Sequence, residues 1–317
     1  MNDVKPQNAV DFILTNFLTY PIIGLGRVEG AGNQSETEFL DRLISNPRFD
    51  ATVNDIVIEC GNSRYQETLD RYVDGEDVSL DRLQKVWRDT TQMFDREANP
   101  TTFELIFAVR KANMRLQGQR LRVLAAEPPI DWSDIRTHEE FVHYSSERDS
   151  NAAAVIERQV LDRHRRALVV IGGFHLVKHV GVVGGATITT LIEKAFPGSV
   201  YVIWPLTQLD TLPPSATDRL KGLPLPSIFP IAGSWFGALN GHAITGDMLR
   251  RIGNKWFPVT NAFPGWKLEN LFDACLFFGL PSSLKSVDYR EPKDPAFSKE
   301  LQRRRDVITG TKPTPAP

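Results

Sequence analysis

Apolar residues in this chain alternate between two periods, and the alternation predicts the elements. Over residues 7–19, Val10, Phe12, Ile13, Phe17 and Leu18 recur at helical spacing and predict a short amphipathic helix. Pro21-Ile-Ile-Gly-Leu-Gly26 is a compact apolar run closed by glycine, the pattern of a buried strand. Ser35 with Glu38 three positions on reads as a capping box, and Phe39, Leu40, Leu43 and Ile44 carry that helix to about residue 46. Further Val/Ile/Leu-rich strands are predicted over 55–59, 121–125, 167–171 and 199–204. One or two helices over 64–95, one over 101–116 and one over 148–164 separate them, with Leu105, Ile106, Val109 and Met114 expected on the buried side of the second.

Helices alternating with near-continuous apolar strands predict an α/β fold, a mainly parallel β-sheet flanked by helices on both faces. Such sheets bind ligands beyond the carboxyl ends of their strands. Here those ends present Arg27 and Glu29, then Glu59 and Asn62, then Glu127, then His175. From 205 to 266 the periodicity gives way to a segment rich in proline, glycine and aromatic residues, expected as a lid or pocket wall. Residues 268–280 predict a last strand and 296–306 a charged helix. The expected organisation is an α/β core over 1–204, the irregular segment over 205–266, a strand and helix over 267–308 completing the same domain, and a flexible tail over 309–317.

Charge and composition narrow the function. Lys and Arg total 37 against 39 Asp and Glu, a formal charge of −2, which offers no broad basic footprint for nucleic acid. Cys60 and Cys275 sit in apolar runs with no CxxC, so zinc-ribbon and thioredoxin-type chemistry is not expected and each reads as a small buried hydrophobe. The N-terminal stretch lacks a basic start and an unbroken apolar run, and no run is long enough for a membrane span. The expectation is a soluble, cytoplasmic protein whose partner is a small-molecule substrate or ligand, with no membrane and no nucleic acid. Its oligomeric state is not readable.

Several motifs could carry chemistry. Gly24-Leu-Gly26-Arg-Val-Glu-Gly30 approximates a dinucleotide loop, but its third glycine falls one place late. Gly181, Gly184 and Gly185 lack the Gly-Lys-Ser/Thr of a phosphate-binding loop. His175 and His179 have the spacing of two ligands on one helix face, without a third nearby. His175 alone, at a strand's carboxyl end, suits general acid–base work, whereas His138, His143, His164 and His242 lie in polar surroundings typical of the surface. Neither G-x-S-x-G nor HExxH occurs. Arg148-Asp149 opens a predicted helix, where the acid complements the dipole and the pair could orient a base or clamp a carboxylate.

Seven segments in one order resemble the erythromycin esterase/ChaN/Tiki superfamily: IIGLG…TEFLDRLISNPRF, NDIVIECGNSRYQETLDRYVDGEDV, VWRDTTQ, LRVLAAEPPIDW, ERDSNAA, ALVVIGGFHLVKH and FDACLFFG. The resemblance implies an α/β fold and a repertoire of macrolide esterases, a haem-binding protein and metal-dependent proteases. It places Glu59 and His175 in the active site and Arg148 and Asp149 in or beside it. It also implies a first strand ending in L-G-E followed by His, whereas this chain has Arg27 at the glutamate position and no histidine before His138. An Arg27–Glu59 ion pair would lower the Glu59 pKa, weaken it as a base and occupy a metal's place. The leading reading is an erythromycin-esterase-like hydrolase of a small-molecule ester, with His175 as base, Glu59 as orienter or water-positioner and Arg27 or Arg148 stabilising an oxyanion. Glu29, Asn62, Arg148, Asp149 and Glu127 would bind substrate. The alternatives are a non-catalytic, ligand-binding member of the superfamily and a nucleotide-cofactor enzyme. No cofactor is called for, and a divalent metal or haem stays open.

Overall fold

The computed structural model describes residues 1–28, 33–92, 100–116, 120–179, 185–207, 212–244, 248–252, 255–259, 263, 265–280, 282, 284–285 and 294–310. An eight-stranded sheet runs in the order β1-β7-β10-β6-β2-β5-β3-β4. In chain order its strands are β1 (Gln7–Asn8), β2 (Ile22–Arg27), β3 (Asp55–Asn62), β4 (Arg122–Glu127), β5 (Ala167–Gly172), β6 (Val200–Leu206), β7 (Ser227–Pro230) and β10 (Ala274–Phe277). Strands β8 (Met248–Ile252) and β9 (Lys255–Val259) form a separate antiparallel pair. From β10 to β4 every pairing is parallel; β7 and β1 close the other edge antiparallel.

The helices are α1 (Ala9–Asn16), α2 (Asn33–Ile44), α3 (Pro47–Asp50), α4 (Gln66–Val73), α5 (Leu80–Arg88), α6 (Pro100–Asn113), α7 (His138–Ser146), α8 (Arg148–Gln159), α9 (Ile188–Ala195), α10 (Pro214–Leu220), α11 (Leu268–Leu271) and α12 (Pro295–Thr309). The strand pleat sorts the core between them. In β5, Leu168 and Val170 join the apolar cluster under α1, α2 and α4–α6, while Ala167, Val169 and Ile171 join the one under α8–α11. Both faces are therefore dry, which is why the strands read as unbroken apolar runs.

Boundaries differ where local pattern is overruled. Helix α2 starts at Asn33, so Ser35 is not its cap; its hydroxyl instead accepts from the Lys285 N–H at 3.2 Å. Met114 is 70% exposed because α6 ends one residue before it. Strand β3 runs to Asn62, past the expected end at 59. Gly24 and Gly26 lie inside β2 rather than in a loop. The 205–266 segment supplies sheet strand β7 as well as α10 and the β8–β9 pair, and Phe229, Trp235, Phe236 and Phe263 are buried in the core beneath α8–α11. A short run containing Pro230 and flanked by proline hides its strand identity, since proline suits only edge or terminal strand positions. Glu29, Gly30, Gly181, Gly184 and the tail from 311 lie outside the described residues.

Gly26 has a packing reason. A Cβ there would lie 2.6 Å from Pro205 Cδ and 3.2 Å from the Gly173 backbone. Gly26→Ala is expected to destabilise the fold by about 1–3 kcal/mol through overpacking, measured by denaturant unfolding. Gly185→Ala, with open space at its Cβ, should leave the midpoint unchanged.

Candidate active site at the carboxyl edge of the sheet

Register brings the strand ends together. Arg27 pairs with Gly172 across β2 and β5, and β3 lies on the other side of β5. Between its pairings Ile58↔Ala125 and Asn62↔Glu127 with β4, β3 breaks register in a bulge-like irregularity. Such irregularities re-aim side chains, and here Glu59 and Cys60 sit inside it.

Glu59 is the centre of the site. Its Oε2 accepts the Gly172 N–H at 2.7 Å and faces Arg27 Nη2 at 3.5 Å; its Oε1 accepts Arg148 Nη2 at 2.7 Å and Gln92 Nε2 at 2.8 Å. Burial pushes the carboxyl pKa up, but Arg27 foremost, then Arg148, His175 and the Gly172 N–H, bring it down to about 2. Glu127 is held as tightly. Its Oε1 accepts Arg148 Nε at 2.7 Å and Gln92 Nε2 at 3.1 Å, and its Oε2 accepts the Thr91 N–H at 3.0 Å and the Thr91 hydroxyl at 2.5 Å. Arg148, at the start of α8, thus bridges two carboxylates from adjacent strands. Asn151 fastens that helix by donating to the Ala126 carbonyl at 2.8 Å.

The second unit is a histidine–carboxylate pair. A turn of 3-10 helix over Gly173–His175 carries His175 back over the end of β5, where its Nδ1 bonds Asp149 in the first turn of α8. His175 Nε2 lies 3.9 Å from Glu59 Oε1. Burial disfavours the imidazolium, yet the Asp149 hydrogen bond and the charges of Glu59 and Asp149 leave the pKa raised above 6.5. The cleft bounded by Glu59, Glu127, Arg148, Asp149 and His175 has a volume of about 10 Å³, room for a single water. On its β6 side Phe174 packs edge-on to Trp204 at 5.2 Å and parallel to Phe263 at 6.4 Å.

Of the residues expected here, Arg27, Glu59, Glu127, Arg148, Asp149 and His175 converge. Asn62 does not line the cleft: its amide donates to the Asp89 and Ile130 carbonyls at 2.6 and 2.8 Å and accepts from the Arg64 N–H, tying loops together. Gln92, Thr91 and Cys60 were not anticipated. Thr91 and Gln92 follow α5 in a polar run that nothing in local spacing links to a carboxylate more than 30 positions away. Cys60 accepts from Arg27 Nη1 at 3.2 Å. Burial pushes its thiol up to about 12, so it is a neutral hydrogen-bonding group and no nucleophile. His179 stacks on Trp266 at 5.6 Å, away from His175's partners.

The donor set does not fit a divalent ion. The oxygens of Glu59 and Glu127 are taken by guanidinium, amide, hydroxyl and backbone donors, and no cluster of three or more His, Cys, Asp or Glu suited to a metal occurs among the described residues.

No family model and no curated protein matches the chain. Solved structures do. A Bacillus cereus protein is 12% identical with a TM-score of 0.53, covering 88% of this chain and 95% of its own. A succinoglycan biosynthesis protein is 11% identical with a TM-score of 0.49, covering 88% and 94%. ChaN of Campylobacter jejuni, described with cofacially bound haem, is 13% identical with a TM-score of 0.38, covering 62% and 85%. The first of these shares the fold, and at such identity the likeness is one of fold alone. No described helix is long and apolar enough to cross a membrane.

Arg27 and Glu59 have side chains 1% and 9% exposed, so removing the cation leaves a buried charge. Arg27→Met should cost about 3–5 kcal/mol at neutral pH, read by denaturant unfolding, and should raise the Glu59 pKa in a ¹³C NMR titration. Because the folded pKa is depressed, Glu59 contributes fully above pH 4.5 in the parent, and this contribution fades as pH falls toward 2. In Arg27→Met that loss should begin at higher pH.

Proposed function

We propose that this chain is a hydrolase of a small-molecule ester or related acyl bond, with His175 as general base. The observation that carries the reading is the Asp149–His175 pair, with the imidazole's other nitrogen at a cleft the size of one water. Asp149 accepts from Nδ1–H and so assigns the tautomer that leaves Nε2 to take a proton. Water bound there loses its proton to Nε2 while its oxygen adds to the acyl carbon. The carbonyl electron pair moves onto oxygen, next to Arg148, whose guanidinium is fixed by two carboxylates before substrate arrives. Collapse of the tetrahedral species expels the alkoxide, which takes the proton back from His175. Glu59 is too acidic to serve as base; its part is to hold Arg148 and face the imidazole. The saturated carboxylates favour a second reading, a ligand-binding protein without turnover.

The test is hydrolysis of a panel of esters and lactones, macrolides included. His175→Ala should lower kcat about 10²–10⁴-fold. Since the base acts when neutral and its pKa is raised, the rate should climb with pH through a value above 6.5. Asp149→Asn should slow the reaction and move that limb to lower pH, because it removes the hydrogen bond and charge that favour the imidazolium. Equal rates in the parent and His175→Ala remove this mechanism. No turnover by folded protein overturns the hydrolase reading in favour of ligand binding.

A further inference from the structure

The cleft beside His175 has no space for a substrate's body, but the same edge of the sheet carries a pocket of about 750 Å³, within the range of small-molecule sites. Its walls are the turn after β3, the end of α5, the loop after β4 and one face of α12. Five cations line it against three carboxylates. Three of the cations are committed. Arg304 binds Asp89 at 2.6 Å and Glu300 at 2.8 Å, Arg303 binds Glu300 at 2.7 Å, and Arg64 binds Asp131 at 2.9 Å. Lys85 and Arg136 are not. They stand on different walls and make no ion pair among the described residues; the Arg136 guanidinium donates to its neighbour's carbonyl at 3.2 Å, while its backbone N–H donates to Glu140 at 2.7 Å. Asp131 and Glu140 feel the charges of Lys85 and Arg136 without closing an ion pair to them, and the pocket's own carboxylates pair with Arg64, Arg303 and Arg304, so the two side chains are placed to meet a ligand.

One strap of chain borders both pocket and cleft. Asp89 lines the pocket, while Thr91 and Gln92 hold Glu127 and Glu59. Trp132 fixes the strap by donating to the Thr90 carbonyl at 2.9 Å, and Asn62 fixes it through the Asp89 carbonyl. We propose that this pocket binds the oxyanion end, carboxylate or phosphate, of a small-molecule ligand through Lys85 and Arg136. The inference rests on the hydrolase reading in naming that ligand as the substrate, but anion binding itself does not require turnover.

The test is calorimetric titration of the whole chain with phenyl phosphate, benzoate and benzyl alcohol, which share a ring and differ in charge. Saturable binding of an anion is expected, with the tighter of the two naming the group recognised, and benzyl alcohol should not bind. Added salt should weaken binding, and Lys85→Gln with Arg136→Gln should weaken it on the order of ten-fold. His175→Ala should bind as the parent does. Anion binding without ester turnover overturns the hydrolase reading and leaves the pocket standing. The proposal falls if folded protein binds neither anion or binds benzyl alcohol equally well, or if binding is indifferent to salt. It falls equally if the folded double variant binds as the parent does.

Discussion

A carboxylate with little access to water stays ionised only where fixed donors replace its hydration, because an uncompensated buried charge costs more than most single interactions return. Glu59 imposes that requirement on this fold. Its compensation comes from the end of β2 through Arg27, the end of β5 through the Gly172 N–H, the strap after α5 through Gln92 and the start of α8 through Arg148. Four separate parts of the chain must be in register before the group is satisfied. Glu127 repeats the demand on the strap and on Arg148, so the two carboxylates define a single arrangement of the loops at this edge.

The consequence is a division of labour among groups that look alike in a list of residues. Glu59 and Glu127 are anchors, Arg148 is a cation held rigid by them, and Arg27 is a buried cation set against Glu59 and Cys60. His175 and Asp149, about a quarter exposed, pair imidazole with carboxylate, and that hydrogen bond with the charges of Asp149 and Glu59 raises the His175 pKa despite its burial. With His175 protonated, three carboxylates face three cations and the cluster is neutral. When it loses its proton the site carries a net negative charge, which is the electrostatic reason its pKa is raised despite burial.

Packing behind the site serves the same geometry. Gly26 and Gly173 have no side chain because Pro205 and Trp204 of β6 press against them, and that close approach lets β2, β5 and β6 end level with one another. Phe263, from the stretch with no readable period, reaches the His175 turn through Phe174. The aromatic residues of that stretch are thus part of the core as well as neighbours of the site.

Local pattern was enough for the sheet's central strands, their parallel sense and the polar residues at their ends, because a strand buried on both faces must be apolar along its length and must stop where the chain meets water. Arg27, Glu59, Glu127 and His175 were legible for that reason, and Arg148 and Asp149 as the charged opening of a predicted helix. Gln92, Thr91 and Cys60 were not, since their roles arise from contacts across more than 30 positions and polar residues after a helix ordinarily mean only a turn. Strand β7 was hidden by its prolines, and Asn62 was indistinguishable by sequence from a residue that faces ligand. Which of these charged groups are held by many donors and which by few was decided by tertiary structure alone: it depends on the partners gathered around a group in space, and the order of residues does not carry that information.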